Sequence, residues 1–177
     1  MQEELIKRAR VLPRTAFVAQ HPQAFFVYGM GATGFKTGYF PPVPARDARP
    51  ESTMRVPTVG AVMLKAEGAA RGILEVAKSE RNLMVDAISI GRAPTCDIFL
   101  PDTSVSKVHA HFLREPSGKW VIRDAESTNG TFVNGVRAVA DSKVQLSFGA
   151  TVRLAHCEGR FLDADHLFDL LNGIRLH

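Results

Sequence analysis

Short runs of alternating hydrophobic and polar residues fill the chain from about residue 70 to residue 155. Turn-forming residues separate the runs ILEVA (73–77), DAISIG (86–91), DIFL (97–100), HAHFLRE (109–115), KWVIRD (119–124), TFVNGVRAV (131–139), KVQLSF (143–148) and ATVRLA (150–155). Short strands at such regular spacing are typical of sandwiches built from antiparallel strands. We therefore predict an all-β fold, an antiparallel β-sandwich.

Two of the turns have residues that favour reversal of the chain. Pro116-Ser117-Gly118 can join two antiparallel strands, and Asn134-Gly135 stands between Val133 and Val136. Asn and Gly both tolerate positive φ, which the tight two-residue hairpin requires. The sequence therefore predicts a hairpin at residues 131–139.

The residues before the sandwich follow a different pattern. Residues 3–12 have the apolar spacing of a short amphipathic helix, which Pro13 ends. Residues 24–28 (AFFVY) favour a short strand. Residues 29–58 are rich in Gly and Pro and favour a linker, whose end is open because 59–64 (VGAVML) could form a further strand.

The C-terminal residues favour a helix. Asp163 can cap it, an apolar stripe follows at Leu167, Phe168, Leu170 and Leu171, and Gly173 can end it. We therefore divide the chain into a partly ordered N-terminal extension of unassigned role (1–69), a β-sandwich domain (70–157) and a short C-terminal helical tail (158–177).

Composition and charge narrow the class of protein. The formal net charge is +4, but residues 1–70 hold nine Lys/Arg against five Asp/Glu, whereas residues 71–177 hold thirteen of each. A neutral sandwich does not predict binding to nucleic acid. Cys96 and Cys157 have no metal-type spacing and favour reduced thiols. Acids at Glu3 and Glu4 and the lack of a long apolar run predict a soluble, cytoplasmic protein without a membrane partner.

Polar residues in the turns have the chemistry that a phosphate requires. Arg92 offers a planar fork of donors, Ser106 and Thr128 offer hydroxyls, and Lys107 adds a point charge. Asn129 can donate and accept at once, which suits a peptide backbone in extended conformation. Ordinary turn chemistry explains each residue when it is taken alone, and only their joint occurrence in this order favours a phosphate site.

Other motifs favour simpler explanations. His109, at the start of a strand, is predicted to support a loop, and His109 with His111 has no further ligand that would complete a metal site. Gly29–Gly34 spells a dinucleotide-type G-x-G-x-x-G, but Pro41 and Pro42 follow where a helix is needed. The nearly Walker-type loop that starts at Gly29 has its lysine displaced by one position. We expect no metal and no cofactor.

Taken in order, these motifs resemble a known family. Gly91-Arg92, CDIFLPD (96–102), Ser106-x-x-His109 and STNGTFVNG (127–135) are similar to the forkhead-associated (FHA) domain, over roughly residues 70–157. The resemblance implies a sandwich whose loops bind phosphothreonine in an extended peptide. It implies that four residues contact phosphate (Arg92, Ser106, Lys107 and Thr128) and that Asn129 holds the ligand backbone. It also implies loop-shaping roles for Gly91, His109, Gly130, Asn134 and Gly135.

The leading hypothesis is a phosphothreonine-dependent binding module in bacterial-style Ser/Thr-kinase signalling, not an enzyme. Its partner would be a phosphothreonine-containing protein, either a kinase or a kinase substrate. A second hypothesis is an intramolecular ligand, in which a phosphorylated threonine of the N-terminal segment (Thr33, Thr37, Thr53 or Thr58) occupies the site. A third is a phosphate-independent scaffold that uses residues 1–69 and the C-terminal helix.

Overall fold

The structure, a computed structural model, describes residues 2–29 and 72–173. These residues form the helices α1 (Gln2–Val11), α2 (Arg14–Gln20) and α3 (Ala164–Leu171) and eleven strands. The strands are β1 (Ala24–Tyr28), β2 (Gly72–Val76), β3 (Ile88–Gly91), β4 (Ile98–Phe99), β5 (Ala110–Arg114), β6 (Trp120–Asp124), β7 (Thr131–Val133), β8 (Val136–Arg137), β9 (Lys143–Leu146), β10 (Thr151–Leu154) and β11 (Cys157–Leu162).

The strands form two sheets, as predicted for a sandwich. One sheet has six strands in the order β2-β1-β11-β10-β7-β8, and the other has five in the order β4-β3-β5-β6-β9. The pairs with a described register are antiparallel except β3 with β4, which is parallel. The alternation of apolar residues along each strand turns one face of each sheet inward.

The main core fills the space between the sheets. Phe26 and Phe161 face each other across β1 and β11, and Phe112 and Ile122 meet them from the second sheet. All four side chains are fully buried. Phe112 and Phe161 stack with ring centroids 5.8 Å apart. Burial of four such side chains, at roughly 1.5–3 kcal/mol each, is a major source of the sandwich's stability.

A second core lies on the outer face of the six-stranded sheet. Phe25 and Val27 point away from the main core and pack with Leu5, Phe17 and Leu167 of the three helices. Arg14 of α2 is paired with Asp165 and Asp169 of α3. The helices therefore cover one face of the sandwich.

A buried carboxylate organises the connection from β2 to β3. Asp97 accepts hydrogen bonds from Ser79, Asn82 and Ser89, and Lys78 Nζ lies 3.3 Å from its Oδ1. Burial opposes the charged form, but the hydrogen bonds outweigh it and lower the pKa of Asp97. This cluster is not apparent from sequence, because its donors come from two separate segments.

Several predictions about elements are confirmed. The helix predicted at 3–12 is α1, and Asp163 caps α3 by accepting a hydrogen bond from the His166 amide at 2.9 Å. Cys96 and Cys157 are both free thiols. α2 was not predicted, and Pro13, expected only to end α1, also occupies the N-cap of α2.

The division of the chain at 69/70 and 157/158 remains a prediction. In the structure, β1 of the first segment lies between β2 and β11, and β11 carries residues assigned to the tail. The strand at 24–28 was predicted, whereas its place inside the sheet was not, because strand pairing is set by packing across a long sequence separation.

Other predictions lie outside the described residues. These are the glycine-rich motifs beyond Gly29, the linker and further strand expected before residue 65, and the four N-terminal threonines. Among the helices of residues 2–29 and 72–173, none has the length and apolar content that a bilayer span requires.

Candidate functional site

Three loops meet at one end of the sandwich. The Arg92 turn (residues 91–96) follows β3, the Ser106 loop (residues 101–109) precedes β5, and the Thr128 loop (residues 125–130) connects β6 to β7. β5 pairs antiparallel with both β3 and β6. The C-terminal end of β3, the N-terminal end of β5 and the C-terminal end of β6 therefore lie at the same end of the sheet. All five predicted ligand-binding residues lie in these loops.

The Arg92 turn is bonded to the Ser106 loop through the backbone. The amide of Arg92 donates to the Ser106 carbonyl at 2.9 Å, and the amide of Ala93 donates to the Lys107 carbonyl at 2.9 Å. A Cβ on Gly91 would lie 2.3 Å from the Lys107 carbonyl oxygen, so only glycine allows this approach. Arg92 Nε donates to the Val105 carbonyl at 3.1 Å, which orients the guanidinium.

The Ser106 loop is in turn bonded to the Thr128 loop. The amide of Thr128 donates to Ser106 Oγ at 3.1 Å, and Asn129 Nδ2 donates to the Ser104 carbonyl at 2.8 Å. Thr128 and Asn129 are exposed, whereas Ser106 is half-buried. The structure thus brings Arg92, Ser106 and Thr128 together, and places Asn129 beside them.

His109 lies behind these loops and connects them. Its side chain is fully buried, with Nδ1 accepting from the Ser106 amide at 3.1 Å and Nε2 lying 3.1 Å from the Gly130 carbonyl oxygen. An acceptor at Nδ1 requires the neutral tautomer with its proton on Nε2. Burial lowers the pKa of His109, against opposing effects of the Gly130 carbonyl and Asp124, and so favours this neutral form.

A second buried group, Asp124, also holds the Thr128 loop in place. Its carboxylate accepts from the Ser127 amide (2.9 Å), Ser127 Oγ (2.7 Å) and Thr131 Oγ1 (2.6 Å). Burial opposes the charge, but the bonds from Thr131 and Ser127 prevail and lower the pKa of Asp124. The sequence analysis did not predict this role of Asp124. The signal that could have indicated it is an acid at the end of a strand with hydroxyl residues shortly after it.

The remaining predicted residues occupy different places. Lys107 is exposed directly after Ser106, and Gly130, with φ of +80°, allows the chain to enter β7. Asn134 and Gly135 both have positive φ and form the predicted hairpin turn. That turn lies at the far end of β7, where Asn134 Oδ1 accepts from the Thr151 amide at 2.9 Å, so the structure does not bring it to the loop cluster.

Known proteins share this region of the chain. Residues 88–155 match the model of the FHA domain. The glycogen accumulation regulator GarA of Mycolicibacterium smegmatis is 48% identical over 56 residues, covering 32% of this chain and 34% of GarA. An oxoglutarate dehydrogenase inhibitor of Corynebacterium diphtheriae is 45% identical over 64 residues, covering 36% of this chain and 42% of the relative. The chain thus spans less than half the length of either relative.

A solved structure gives a match over most of its own chain. The FhaA FHA domain, crystallised with the intracellular domain of Rv3910, is 32% identical, with 45% of this chain and 84% of that chain covered and a TM-score of 0.39. On this family model, residues 88–155 of the chain are a forkhead-associated (FHA) domain.

Proposed function

We propose that the loop end of the sandwich binds phosphothreonine in an extended peptide. In this proposal Arg92, Ser106, Lys107 and Thr128 contact the phosphate, and Asn129 contacts the peptide backbone. The observation that carries it is the bonding of three loops into one frame, with Thr128 N donating to Ser106 Oγ and Arg92 N donating to Ser106 O. Such a frame is preorganised, which lowers the entropic cost of binding.

Arg92 has the donors that a phosphate needs. Its Nε is used by the Val105 carbonyl, and no other acceptor within the described residues takes its two terminal amino groups. Arg92 is exposed, and the two terminal amino groups of its guanidinium can offer two parallel N–H groups to two phosphate oxygens. Lys107 is exposed directly after Ser106, whose carbonyl holds the Arg92 amide, and adds a second positive charge.

The two hydroxyls are suited to donate. Because Ser106 Oγ accepts from the Thr128 amide, its own hydrogen remains available for an anion. Thr128 is exposed, so its hydroxyl is available to a ligand in solvent. Asn129 Nδ2 is tied to the Ser104 carbonyl, which leaves Oδ1 to accept from a peptide amide.

The site supports binding rather than catalysis. His109, the histidine nearest the proposed phosphate, is fully buried and has both ring nitrogens occupied by Ser106 and Gly130. A general base must reach the group that it deprotonates, and this imidazole does not face the ligand. We therefore infer a cytoplasmic binding module in Ser/Thr-kinase signalling, whose partner is a phosphothreonine-containing kinase or kinase substrate.

The helical tail gives little support to the alternative of a phosphate-independent scaffold. Leu167 of α3 is fully buried in the second core, and Phe168, Leu170 and Leu171 pack partly buried against that core. The apolar stripe of α3 is therefore already used within the chain. The intramolecular ligand remains a hypothesis, since all four threonines lie outside the described residues.

The test is a titration of phosphothreonine peptides against the full chain. An oriented library with one fixed phosphothreonine would identify a binding sequence, which is then compared with its phosphoserine and unmodified threonine forms. Arg92→Ala should weaken binding about tenfold to a hundredfold, since hydrogen bonds to charged groups contribute roughly 1.5–3 kcal/mol. Arg10→Ala, an exposed arginine of α1, is the matched control. Equal binding by wild type and Arg92→Ala would exclude this site.

A further inference from the structure

A cleft lies between the Thr128 loop and residues 137–140. It has a volume of about 560 Å³ and is lined by Asp124, Glu126, Ser127, Arg137, Ala138, Val139 and Ala140. The Thr128 loop thus bonds to the Ser106 loop and also lines this cleft. None of the residues predicted to hold the phosphate or the ligand backbone lines this cleft.

The walls of the cleft are fixed by backbone hydrogen bonds. The Ala138 amide donates to the Thr131 carbonyl at 2.8 Å, and the Asp141 amide donates to the Asp124 carbonyl at 3.1 Å. These bonds hold residues 138–141 against the end of β6 and the start of β7. The cleft is therefore preformed next to the proposed phosphate site, and does not require a change in the backbone.

Arg137 lines the cleft and lies against the Thr128 loop. Its guanidinium lies against Gly130: a Cβ on that glycine would be 2.9 Å from Arg137 Nε and 3.3 Å from Cζ. Arg137 is exposed, and within the described residues its side chain has neither a hydrogen bond nor an ion pair. Arg137 is thus an unpaired cation beside Gly130, and Gly130 directly follows Asn129, which is proposed to hold the ligand backbone.

The other lining residues indicate what kind of side chain would fit. Val139 is 73% exposed, and Ala138 and Ala140 add small apolar surface. A side chain with an apolar stem and a carboxylate end would pack its stem on these residues and direct its oxygens to Arg137. Asp124, the buried acid of the cleft, is occupied by Ser127 and Thr131 and leaves Arg137 free for a ligand.

We propose that Arg137 and this cleft bind an acidic side chain that flanks the phosphothreonine in the peptide. The proposal rests on phosphothreonine binding at the neighbouring loops. An extended peptide advances roughly 3.3 Å per residue, so a residue within a few positions of the phosphothreonine can cross the Thr128 loop and reach the cleft. Arg137 is a specificity-determining residue, distinct from the four that hold the phosphate.

Glu126 provides a second, opposite charge for the test. It also lines the cleft, is exposed, and has no ion pair within the described residues. Its carboxylate repels an acidic ligand side chain, so its removal should increase the preference for acid. Charge changes at Arg137 and Glu126 are therefore expected to act in opposite directions.

The experiment scans the peptide one position at a time with the full chain. Phosphothreonine peptides with alanine at all other positions receive a single Glu or a single Gln at each of the four positions on either side. Wild type should bind one Glu peptide about twofold to fivefold more tightly than its Gln partner, as for an exposed charge pair. Arg137→Ala should remove that ratio and leave the all-alanine phosphopeptide unchanged, whereas Glu126→Gln should increase the ratio. Arg10→Ala should change neither.

The outcomes separate the two proposals. If wild type binds no phosphothreonine peptide, both proposals are overturned. A Glu-to-Gln ratio that is the same in wild type and Arg137→Ala would overturn this one alone. An equal loss for all peptides in Arg137→Ala would also overturn it, because Arg137 would then act on the phosphate or on the loop. The variant Arg137→Glu provides an independent test. Its new carboxylate should make it bind a peptide with Lys at the same position more tightly than a peptide with Gln there.

Discussion

Ser106 donates its backbone amide to Nδ1 of His109, three residues along the chain, at 3.1 Å. The same imidazole reaches the Gly130 carbonyl oxygen with Nε2 at 3.1 Å. One buried, neutral ring therefore holds the loop that contains Ser106 and the loop that contains Thr128 at a set separation. The geometry proposed for the phosphate depends on a residue that does not touch it.

Removal of the imidazole should affect both stability and binding. His109→Ala leaves the Ser106 amide without its partner, at roughly 1–3 kcal/mol, and removes one of two hydrogen bonds at the Gly130 carbonyl, which keeps the Ala155 amide at 3.0 Å. We expect the free energy of unfolding to fall by about 2–5 kcal/mol and phosphopeptide affinity to fall at least about tenfold. Urea denaturation and peptide titration would measure the two effects. His156→Ala, at an exposed histidine, is the control, and unchanged affinity in His109→Ala would show that the loops are held by other contacts.

Acid should weaken the fold before the carboxylates titrate. Burial is the largest cause of the lowered pKa of His21, His109 and His111. The unfolded chain, with histidine pKa near 6.5, binds more protons than the folded chain just below that pH, so stability rises with pH through this window and falls as pH drops below about 6.5. Urea midpoints measured between pH 5 and pH 7.5 should decrease toward the acid side. A flat profile over this range would contradict the lowered pKa of these three rings.

A methyl group at Gly91 should separate two loops. The added Cβ would meet the Lys107 carbonyl at 2.3 Å, and that oxygen belongs to the backbone, so it cannot swing away. Gly91→Ala should lower the free energy of unfolding by about 1–3 kcal/mol, as overpacking does, and should weaken peptide binding. Gly118→Ala is the control: it has φ of +81° and open space around it, so it should cost about 1 kcal/mol of stability without a change in affinity. If both variants bind peptide like wild type, the approach of Gly91 to Lys107 is not required for the site.

The Asp97 cluster should contribute to stability alone. Asp97→Asn replaces an acceptor with a donor that faces the Ser79, Asn82 and Ser89 donors, and it removes the buried partner of Lys78. We expect the free energy of unfolding to fall by about 2–4 kcal/mol, with phosphopeptide affinity within about twofold of wild type under native conditions. Asp86→Asn, at an exposed acid, should change neither quantity. A large loss of affinity in Asp97→Asn would connect the cluster to the loops.

Local elements followed closely from the sequence because their causes are local. The apolar spacing of residues 3–12, the Asp163 cap and the Asn134-Gly135 turn each depend on neighbours within a few residues, and each is present in the structure. The run AFFVY was likewise predicted as a strand from its composition alone. Such features require no knowledge of what packs against them.

The features that the sequence did not predict depend on residues that lie far apart in the chain. β1 is inserted between β2 and β11, and β11 itself was assigned to a tail, because no local signal tells a strand which neighbour it will pair with. Asp97 is a buried acceptor because Ser79, Asn82 and Ser89, from two other segments, donate to it. Arg137 was missed because its place beside Gly130 depends on the pairing of β7 with β8.

The sequence by itself determined which donors are proposed for a phosphate (Arg92, Ser106, Lys107 and Thr128) and for the peptide backbone (Asn129). The tertiary structure alone decided which of their atoms remain free for a ligand. Arg92 Nε donates to the Val105 carbonyl, and Ser106 Oγ accepts from the Thr128 amide. Both ring nitrogens of His109 are occupied by hydrogen bonds within the fold. The physical reason is that residue type sets the number of donors and acceptors, whereas long-range hydrogen bonds determine how many of them the fold itself uses.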